Sequence, residues 1–268
     1  MTWKTSSDAE AAAPPPDLAA HRRERLGTMV ESRRVVRLEE LSTALGVSQS
    51  TIRRDLDELE TAGRLRRVHG GAIAADARLD EPHFDAKAAT ATDQKLRIAQ
   101  RAVELLGPED TVYLDSGSTV LAAARLLAGW NRLTVVTNSL PAANELVGRG
   151  PRLILIGGEL RSTSRALVGP LTRLVLDDLH VDRALMGTFA ISLEDGLATT
   201  DPSEAFTKRL VMERAREVIL LADSHKMGTR SFVNAGSIDD IDIIVTDTGI
   251  DERTARLLKR RGIRVIVA

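Results

Sequence analysis

After residue 93 the sequence repeats one unit, an apolar run of strand length followed by a stretch with helical spacing. The seven apolar runs occupy residues 112–114, 133–136, 153–156, 184–186, 218–221, 241–245 and 263–267. The stretches with helical patterning include 121–127, 205–215 and 252–260. Continuous apolar strands that alternate with helices are typical of a parallel sheet covered on both faces. We therefore predict an α/β domain over residues 93–268.

The region before this pattern is organised differently, as three short helices and a hairpin. A first helix is predicted from about 18 to 34, and a second ends at Gly46, which can adopt a left-handed conformation. Ser48 can cap a third helix that runs to about Thr61. Basic and apolar residues then alternate over 64–68 before a glycine turn, which predicts a hairpin. This order of elements is the plan of a winged helix-turn-helix domain.

Shifts in composition mark further segments. The first seventeen residues are small and polar and include three consecutive prolines, which predicts a disordered tail. Residues 75–92 are polar without a clear period, which predicts a linker between domains. The predicted organisation is a tail (1–17), a winged helix-turn-helix domain (18–74), a linker (75–92) and the larger α/β domain (93–268).

The third predicted helix has an outer face suited to DNA. Because Ile52, Leu56 and Leu59 form its apolar face, hydroxyl, amide and guanidinium groups point outward and can bind phosphates and base edges. Basic residues on the adjacent hairpin fit phosphate or the minor groove. The candidate DNA-binding residues are Gln49, Ser50, Thr51, Arg53, Arg54, Arg64, Arg66, Arg67 and His69.

Charge alone leaves an alternative open for this region. The whole chain has a net charge of −1, whereas residues 18–75 carry eleven arginines against eight acidic residues. A surplus of three positive charges is a weak indication of a polyanionic partner. The alternative is a small helical domain with solvated arginines, in which Arg53, Arg54 and Asp55 form a run of surface salt bridges.

Polar residues follow several predicted strands of the larger domain. They are Ser116, Gly117, Ser118, Thr119, Asn138, Ser139, Gly157, Gly158 and Lys226. Because the carboxyl ends of parallel strands meet at one edge of the sheet, these residues can form a ligand site there. The turn at 116–119 precedes a helix and can cradle a phosphate with its hydroxyls and the helix N–H groups. A polar turn that only caps the helix is the plainer interpretation.

Two lysines in the larger domain are candidates for binding an anion. Lys226 follows a predicted strand, where its ammonium could neutralise a phosphate or bind a sugar hydroxyl. Lys208 is spaced i, i+4 from Glu204, which by itself predicts an ion pair on a helix surface.

Two ordered segments resemble the DNA-binding head of the DeoR family of bacterial transcription regulators. They are residues 45–56 (LGVSQSTIRRDL), followed by Leu59 and Glu60, and residues 67–72 (RVHGGA). The motifs of the larger domain, in their order, are similar to the effector-binding domain of the same family, which shares its fold with ribose-5-phosphate isomerase. The resemblance covers about residues 18–268 and implies that Ser50, Thr51, Arg53 and Arg54 lie on the helix that faces the operator.

The resemblance also implies an effector site. It places Asp115 to Thr119 around the phosphate of a phosphorylated sugar or polyol, helped by Asn138, Ser139, Gly157, Gly158, Lys208 and Lys226. The sequence departs from the family pattern where Ser118 replaces a threonine, at Phe189 and Ala190, and where His225 replaces a serine. An imidazole at that position could adjust phosphate affinity near neutral pH or simply face solvent.

We therefore expect an α/β protein, with an N-terminal winged helix-turn-helix joined to a larger α/β sensor domain. Its expected function is that of a DNA-binding transcriptional regulator, a repressor of a carbohydrate-metabolism operon. Its expected partners are double-stranded operator DNA, a phosphorylated sugar or polyol effector, and copies of itself in a dimer or tetramer. Two alternatives remain: an isomerase-like enzyme that uses Asp182, Asp195 or Asp223 with the two lysines, and an architectural DNA-binding protein whose sensor is inactive.

Composition excludes several other classes. The chain has no cysteine, which excludes a disulfide scaffold, thiol catalysis and a cysteine zinc site. Its five histidines are scattered without ligand spacing, so we expect no metal, and no glycine-rich segment matches a nucleotide fingerprint, so we expect no cofactor. No apolar run approaches the ~18 residues of a membrane helix, and no export signal is recognisable, so we expect a cytoplasmic protein.

Overall fold

The structure is a computed structural model that describes residues 18–33, 35–68, 70–74 and 81–268. The chain divides into two units, Met1–Ala77 and Arg78–Ala268. The predicted tail at 1–17, His69 and residues 75–80 of the predicted linker lie outside the described residues.

The first unit contains three helices and a three-stranded antiparallel sheet. Its elements are α1 (Leu18–Arg33), β1 (Val35–Arg37), α2 (Leu38–Leu45), α3 (Gln49–Thr61), β2 (Leu65–Val68) and β3 (Gly71–Ala74). The strand order is β1-β3-β2, so the predicted hairpin is extended by one strand from between the helices. This arrangement confirms the winged helix-turn-helix.

Local sequence explains where α2 and α3 end and begin. Gly46 follows α2 with a φ of 67°, and its N–H donates to the Ser42 carbonyl at 3.0 Å. Ser48 then caps α3 by accepting from the Thr51 N–H at 3.3 Å. The apolar face of α3 (Ile52, Leu56 and Leu59) is buried in the core of the unit. These contacts fix the turn between the two helices.

The second unit is larger and contains the remaining helices and strands. Its α-helices are α4 (Phe84–Ala89), α5 (Thr92–Val103), α6 (Ser118–Leu126), α7 (Leu140–Leu146), α8 (Arg173–Leu176), α9 (Pro202–Arg214) and α10 (Glu252–Arg260). Short 3-10 helices cover Pro170–Thr172, Ser224–Lys226 and Ile238–Asp240. Its strands are β4 (Thr111–Leu114), β5 (Thr134–Thr137), β6 (Arg152–Leu155), β7 (Glu159–Arg161), β8 (Ala166–Val168), β9 (Val181–Gly187), β10 (Ala190–Ser192), β11 (Gly196–Thr199), β12 (Ala215–Leu221), β13 (Val233–Gly236), β14 (Ile243–Thr246) and β15 (Arg264–Val267).

The seven predicted strands form one parallel sheet with the order β15-β14-β12-β9-β4-β5-β6. From β4 the chain builds the sheet in one direction through β5 and β6. It then returns to the other side of β4 and continues in the opposite direction from β9. The boundary between β4 and β9 is therefore the switch point of the topology, where open α/β sheets bind their ligands.

Both faces of this sheet are covered, which explains why its strands are continuously apolar. Val112 and Leu114 pack with α5, α6 and α7 on one face. Tyr113, between them, points to the opposite face, where it packs with α9 and other apolar residues. Successive residues of β4 thus contribute to two separate cores, one on each face of the sheet.

Two smaller antiparallel sheets accompany the main sheet, and the sequence patterns did not predict them. β7 pairs with β8, and β10, β11 and β13 form a second sheet in that order. The second part of the predicted linker is also folded, since α4 and the start of α5 belong to the second unit. Within the described residues every helix falls short of the length and apolarity needed to cross a bilayer.

Candidate functional site

The outer face of α3 presents the residues predicted to bind DNA. Gln49, Ser50, Arg53 and Arg54 are exposed, and Thr51 is half-buried. The hydroxyl of Ser50 lies 2.8 Å from that of the capping residue Ser48. The start of α3 therefore has an amide, hydroxyls and two guanidinium groups on its solvent side.

The acidic residue next to these arginines does not neutralise them. Asp55 is only 4% exposed and accepts two hydrogen bonds from the Arg22 guanidinium, at 2.6 and 3.0 Å. Arg22 lies on α1, so this pair joins two helices of the core. The surface salt-bridge run considered for Arg53, Arg54 and Asp55 is therefore wrong, because the aspartate points inward.

The wing arginines are placed differently from those of α3. Arg64 pairs with Glu31 at 3.3 Å, and Arg67 pairs with Asp57 on α3. Arg66 is exposed on β2, and His69 lies outside the described residues. Arg64 and Arg67 are thus already paired within the first unit, and a phosphate would have to compete with carboxylates for them.

A cavity of about 210 Å³ lies in the second unit, at the carboxyl ends of β4, β9 and β12. Of the predicted effector residues, it is lined by Ser116, Gly117, Ser118, Thr119, Lys208 and Lys226. It is also lined by Glu81, Lys87, Ser164, Thr188, Phe189 and Glu204. The turn after β4 and the two lysines, which are far apart in sequence, meet at the switch point of the sheet.

Two hydroxyls in this cavity are buried without a partner. The side chains of Thr119 and Ser164 are each 3% exposed, and within the described parts of the chain neither hydroxyl has a hydrogen-bond partner. Leaving a buried hydroxyl unpaired costs roughly 1–3 kcal/mol. Thr119 is in the first turn of α6, whose N–H groups lack intrahelical partners. The cavity wall therefore offers hydrogen-bonding capacity that the protein itself does not use.

Asp115 stands behind the cavity wall. Its Oδ2 accepts from the Gly187 N–H at 3.0 Å and pairs with the Lys208 ammonium, which also donates to the Gly187 carbonyl at 3.0 Å. A Cβ on Gly187 would lie 2.9 Å from the Ser116 carbonyl oxygen, so only glycine fits this approach of β9 to β4. Asp115 thus holds Lys208 and the ends of two strands together.

Glu204 and Lys208 do form an ion pair, at 3.6 Å, but it is not on a helix surface. Both side chains lie in the buried wall of the cavity, so the prediction of a surface pair is wrong. Burial disfavours the charged form of Lys208, yet Asp115 and Glu204 outweigh it and raise the pKa of the lysine. Burial raises the pKa of Glu204, partly offset by Lys208.

The ion network continues through Arg161 to Glu81. The Arg161 guanidinium donates to Glu204 Oε2 at 2.9 Å and to Glu81 Oε2 at 2.7 Å. The Glu81 carboxylate also pairs with the ammonium of Lys87. Burial opposes ionisation of Glu81, but Lys87 and Arg161 outweigh burial and lower the pKa of its carboxyl from 4.5 to about 2.

Lys226 is the most weakly neutralised ammonium in the cavity. Its side chain is 27% exposed and lies 3.7 Å from the Asp223 carboxylate. Burial lowers the pKa of Lys226, and the nearby lysines add to this effect against the opposing charge of Asp223. An anion bound beside Lys226 would favour the charged form of the lysine and so oppose the lowering of its pKa. His225, next to it, has its side chain 81% exposed and does not line the cavity.

Besides Asp115, which stands behind the wall, four predicted effector residues do not line the cavity. Asn138 and Ser139 follow β5, and Gly157 and Gly158 follow β6, which are one and two strands from β4 on the side away from β9. Neighbouring strands are about 4.8 Å apart, so these loops lie at increasing distances from the switch point. Ser139 instead caps α7, and Asn138 donates to the Leu167 carbonyl at 3.2 Å. The structure does not bring these four residues into the candidate site.

Sequence analysis missed Glu81, Lys87 and Ser164, although one signal for Lys87 is present in the composition. Only six of the 37 basic residues are lysines. Three of the six, Lys87, Lys208 and Lys226, line this single cavity. A chain that uses arginine almost everywhere therefore places compact ammonium groups around one space.

Comparison with protein families assigns both units. Residues 22–78 match the DeoR-like helix-turn-helix domain, and residues 90–248 match the DeoR C terminal sensor domain. The chain belongs to the DeoR family. As a member of that family, it is a DNA-binding transcriptional regulator. Among the described residues of this DeoR-family regulator, no three potential metal ligands cluster.

Relatives of this DeoR-family regulator span nearly its whole length. It is 36% identical to the HTH-type transcriptional regulator GlpR of Haloferax volcanii over 93% of this chain and 98% of the relative. It is 37% identical to the glycerol-3-phosphate regulon repressor of Escherichia coli K12 over 82% of this chain and 87% of the relative. A ribose 5-phosphate isomerase A from Methanocaldococcus jannaschii aligns with 52% of this chain and 55% of its own at 21% identity, with a TM-score of 0.39. A TM-score of 0.39 does not establish a common fold, so the shared fold with the isomerase stays a prediction.

Proposed function

We propose that this DeoR-family regulator represses a carbohydrate-metabolism operon and that a phosphorylated sugar or polyol, bound in the cavity of the second unit, controls its affinity for the operator. The main support is the cavity at the switch point of the sheet. It combines two buried hydroxyls, which lack partners among the described residues, with the first turn of α6 and three ammonium groups. These are the groups that a phosphorylated polyol requires.

Several groups around the cavity can bind an anion. Lys87, Lys208 and Lys226 contribute three ammonium groups to its lining, and Glu81 and Glu204 contribute two carboxylates. Asp115, behind the wall, also pairs with Lys208, and Asp223 lies 3.7 Å from Lys226. The N-terminal turn of α6 adds N–H groups and the positive end of the helix dipole. Ser116, Ser118 and Thr119 supply hydroxyls at the same place, and we assign the phosphate to this end.

Other lining residues suit the uncharged part of the effector. Ser164 and Glu204 offer a hydroxyl and a carboxylate to sugar hydroxyls, and the ring of Phe189 offers an apolar surface. A cavity of about 210 Å³ is consistent with a small phosphorylated sugar rather than a nucleotide. Because a relative is the glycerol-3-phosphate regulon repressor, glycerol 3-phosphate belongs among the first compounds to test.

The test is a thermal-shift screen of the full chain against phosphorylated sugars and polyols, with the unphosphorylated compounds as controls. A ligand at 100 times its Kd stabilises the folded state by about 2.7 kcal/mol, which raises Tm measurably. We expect at least one phosphorylated compound to raise Tm and its unphosphorylated counterpart not to. A screen in which no phosphorylated compound binds would contradict the proposal and favour a protein with an inactive sensor.

Regulation requires that the effector bind two states of the protein unequally. A coupling free energy of about 1–3 kcal/mol between effector and operator gives a 5- to 150-fold change in affinity. We propose that the protein acts as a dimer or a higher homo-oligomer, which would place two α3 helices on half-sites ~34 Å apart. Light scattering of the free protein and of its DNA complex measures this directly.

The isomerase alternative has less support. Asp182 is at the amino end of β9, where its carboxylate accepts from the Thr111 N–H at 2.9 Å, so it lies at the sheet edge opposite the cavity. Asp195 lies between β10 and β11, and neither it nor Asp223 lines the cavity. Incubation with ribose 5-phosphate and an assay for ribulose 5-phosphate tests the alternative, and turnover above background would favour it.

A further inference from the structure

One wall of the cavity belongs to the first part of the second unit that the structure describes. We call residues 81–89 the strap; it comprises Glu81, Pro82, His83 and the helix α4. Along the chain it follows residues 75–80, which lead from the DNA-binding unit. Three strap residues, Glu81, Pro82 and Lys87, line the cavity. The sheet edge is therefore not the only source of groups that can meet the effector.

The strap is held to the second unit mainly at α4. Phe84 is 4% exposed, and its N–H donates to the Thr163 carbonyl at 2.9 Å. The Arg165 guanidinium lies over the Phe84 ring, 5.8 Å from its centre. At the other end of α4, the Lys95 ammonium donates to the carbonyls of Lys87 and Thr90. These contacts place Lys87 at the cavity with its backbone fixed and its side chain extended inward.

Lys87 has an internal counter-ion. Its ammonium pairs with Glu81 Oε1, while Glu81 Oε2 accepts from Arg161 at 2.7 Å and from the Thr200 hydroxyl at 2.8 Å. Glu81 therefore keeps partners of its own if Lys87 moves away. Lys87, whose side chain is 25% exposed, lines the cavity while it is paired with Glu81. Breaking the ion pair would therefore leave the Glu81 carboxylate with two hydrogen-bond donors, Arg161 and Thr200.

We propose that Lys87 is a binding residue for the anionic group of the effector and that Glu81 is its counter-ion in the free protein. An anion in the cavity takes Lys87 from Glu81, and the strap is then held by the ligand as well as by the protein. This inference rests on the proposed effector site and adds a regulatory route to it. The Glu81 carboxylate and a phosphate are both anions, so they compete for the Lys87 ammonium.

The consequence is a connection along the backbone of the strap, from the residue that binds the effector to the segment that leads to the DNA-binding unit. A ligand held only by groups at the ends of β4, β9 and β12 makes no contact with the strap. A ligand held by Lys87 does, and it changes the ion pair of Glu81, the residue that follows the segment 75–80.

The test measures binding of inorganic phosphate to the full chain by titration calorimetry. We expect Lys87→Gln to weaken binding about tenfold or more, as loss of a charge-assisted hydrogen bond does. Lys87→Arg keeps the charge and should restore most of the affinity. Glu81→Gln removes the competing charge and should bind phosphate about threefold tighter or more. Lys259→Gln, an exposed lysine on α10, is the matched control and should bind like the wild type.

Hydrogen exchange of the strap supplies the second readout. Saturating phosphate should slow amide exchange over 84–95 in the wild type and leave it unchanged in Lys87→Gln. Equal phosphate affinity in the wild type and Lys87→Gln, or exchange in the strap that does not respond to phosphate, would overturn this inference and leave the effector site intact. A wild-type protein that binds neither phosphate nor any phosphorylated sugar would overturn the proposed function as well.

Discussion

At the scale of single residues, Lys208 links two buried carboxylates at the cavity wall. It is 2% exposed and lies between two buried carboxylates, those of Asp115 and Glu204. Each carboxylate also has a second partner, Gly187 for the first and Arg161 for the second. The lysine therefore neutralises a charge cluster that already holds two strands and α9 together.

Replacing Lys208 tests this role. Lys208→Ala leaves two buried carboxylates without their shared cation, and we expect it to lower the free energy of unfolding by about 3–5 kcal/mol. Urea denaturation measures the change, and Lys259→Ala on the exposed side of α10 is the control. A loss below about 1 kcal/mol would show that the carboxylates are neutralised by other means.

Glu81 gives a prediction about pH. Burial raises the pKa of its carboxyl, but Lys87 and Arg161 outweigh burial and lower it from 4.5 to about 2. The folded state therefore gains stability from this ion above pH 4.5 and loses it as the pH falls towards 2. The shift corresponds to a contribution on the order of 3 kcal/mol.

We expect the stability gap between the wild type and Glu81→Gln to be largest at neutral pH and to shrink as the pH falls below 4.5. Urea titrations of both proteins from pH 7 to pH 3 measure it. A gap that stays constant over this range would mean that the charge of Glu81 does not stabilise the fold.

At the scale of elements, α3 divides into a half that carries the residues predicted to bind DNA and a half that binds the wing. Arg53 and Arg54 are exposed near its start, whereas Asp57 and Glu60, further along, pair with the side chain and the backbone N–H of Arg67. Asp57 and Glu60 are thus occupied by the wing, whereas Asp55 and Glu58 pair with arginines of α1. The outer face of the first two turns is left positive.

This division predicts unequal effects on DNA affinity. If they contact phosphates, Arg53→Ala and Arg54→Ala should each lower the magnitude of the slope of log affinity against log salt concentration by about 1, because each removes one phosphate contact. Arg67→Ala should change the slope less, since Arg67 is already paired. Fluorescence anisotropy with a non-specific duplex at several salt concentrations measures all three. Equal slopes for the four proteins would argue against α3 as the DNA-facing helix.

Sequence patterns predicted the elements with long or repeated signals. The seven strands and the helices α2 and α3 were recognised from apolar spacing and from end signals such as Gly46 and Ser48. The strand order was not predictable, because it depends on contacts between distant segments, and Asn138 and Gly157 were assigned to the site for that reason. The strap was missed because α4 is six residues long and lies in a polar stretch without periodicity.

At the scale of the whole molecule, the regulator consists of two units joined by a short connection. Replacing residues 75–80 with a Gly/Ser segment of equal length keeps the strap and the cavity unchanged. We expect the variant to bind effector and DNA as the wild type does and to lose the effect of one on the other. Operator anisotropy with and without effector measures this coupling. Full retention of the response would show that the connection does not transmit it.

The hydroxyls of Thr119 and Ser164 have a consequence for how such a sensor evolves. Each is buried without a partner in the described protein, so each weakens the fold until a ligand satisfies it. Substitutions that remove either hydroxyl are expected to be selected wherever heat resistance matters more than responsiveness. A lineage that no longer needs its metabolite should therefore lose these two hydroxyls early. The resulting protein would be more stable and would no longer respond to the effector.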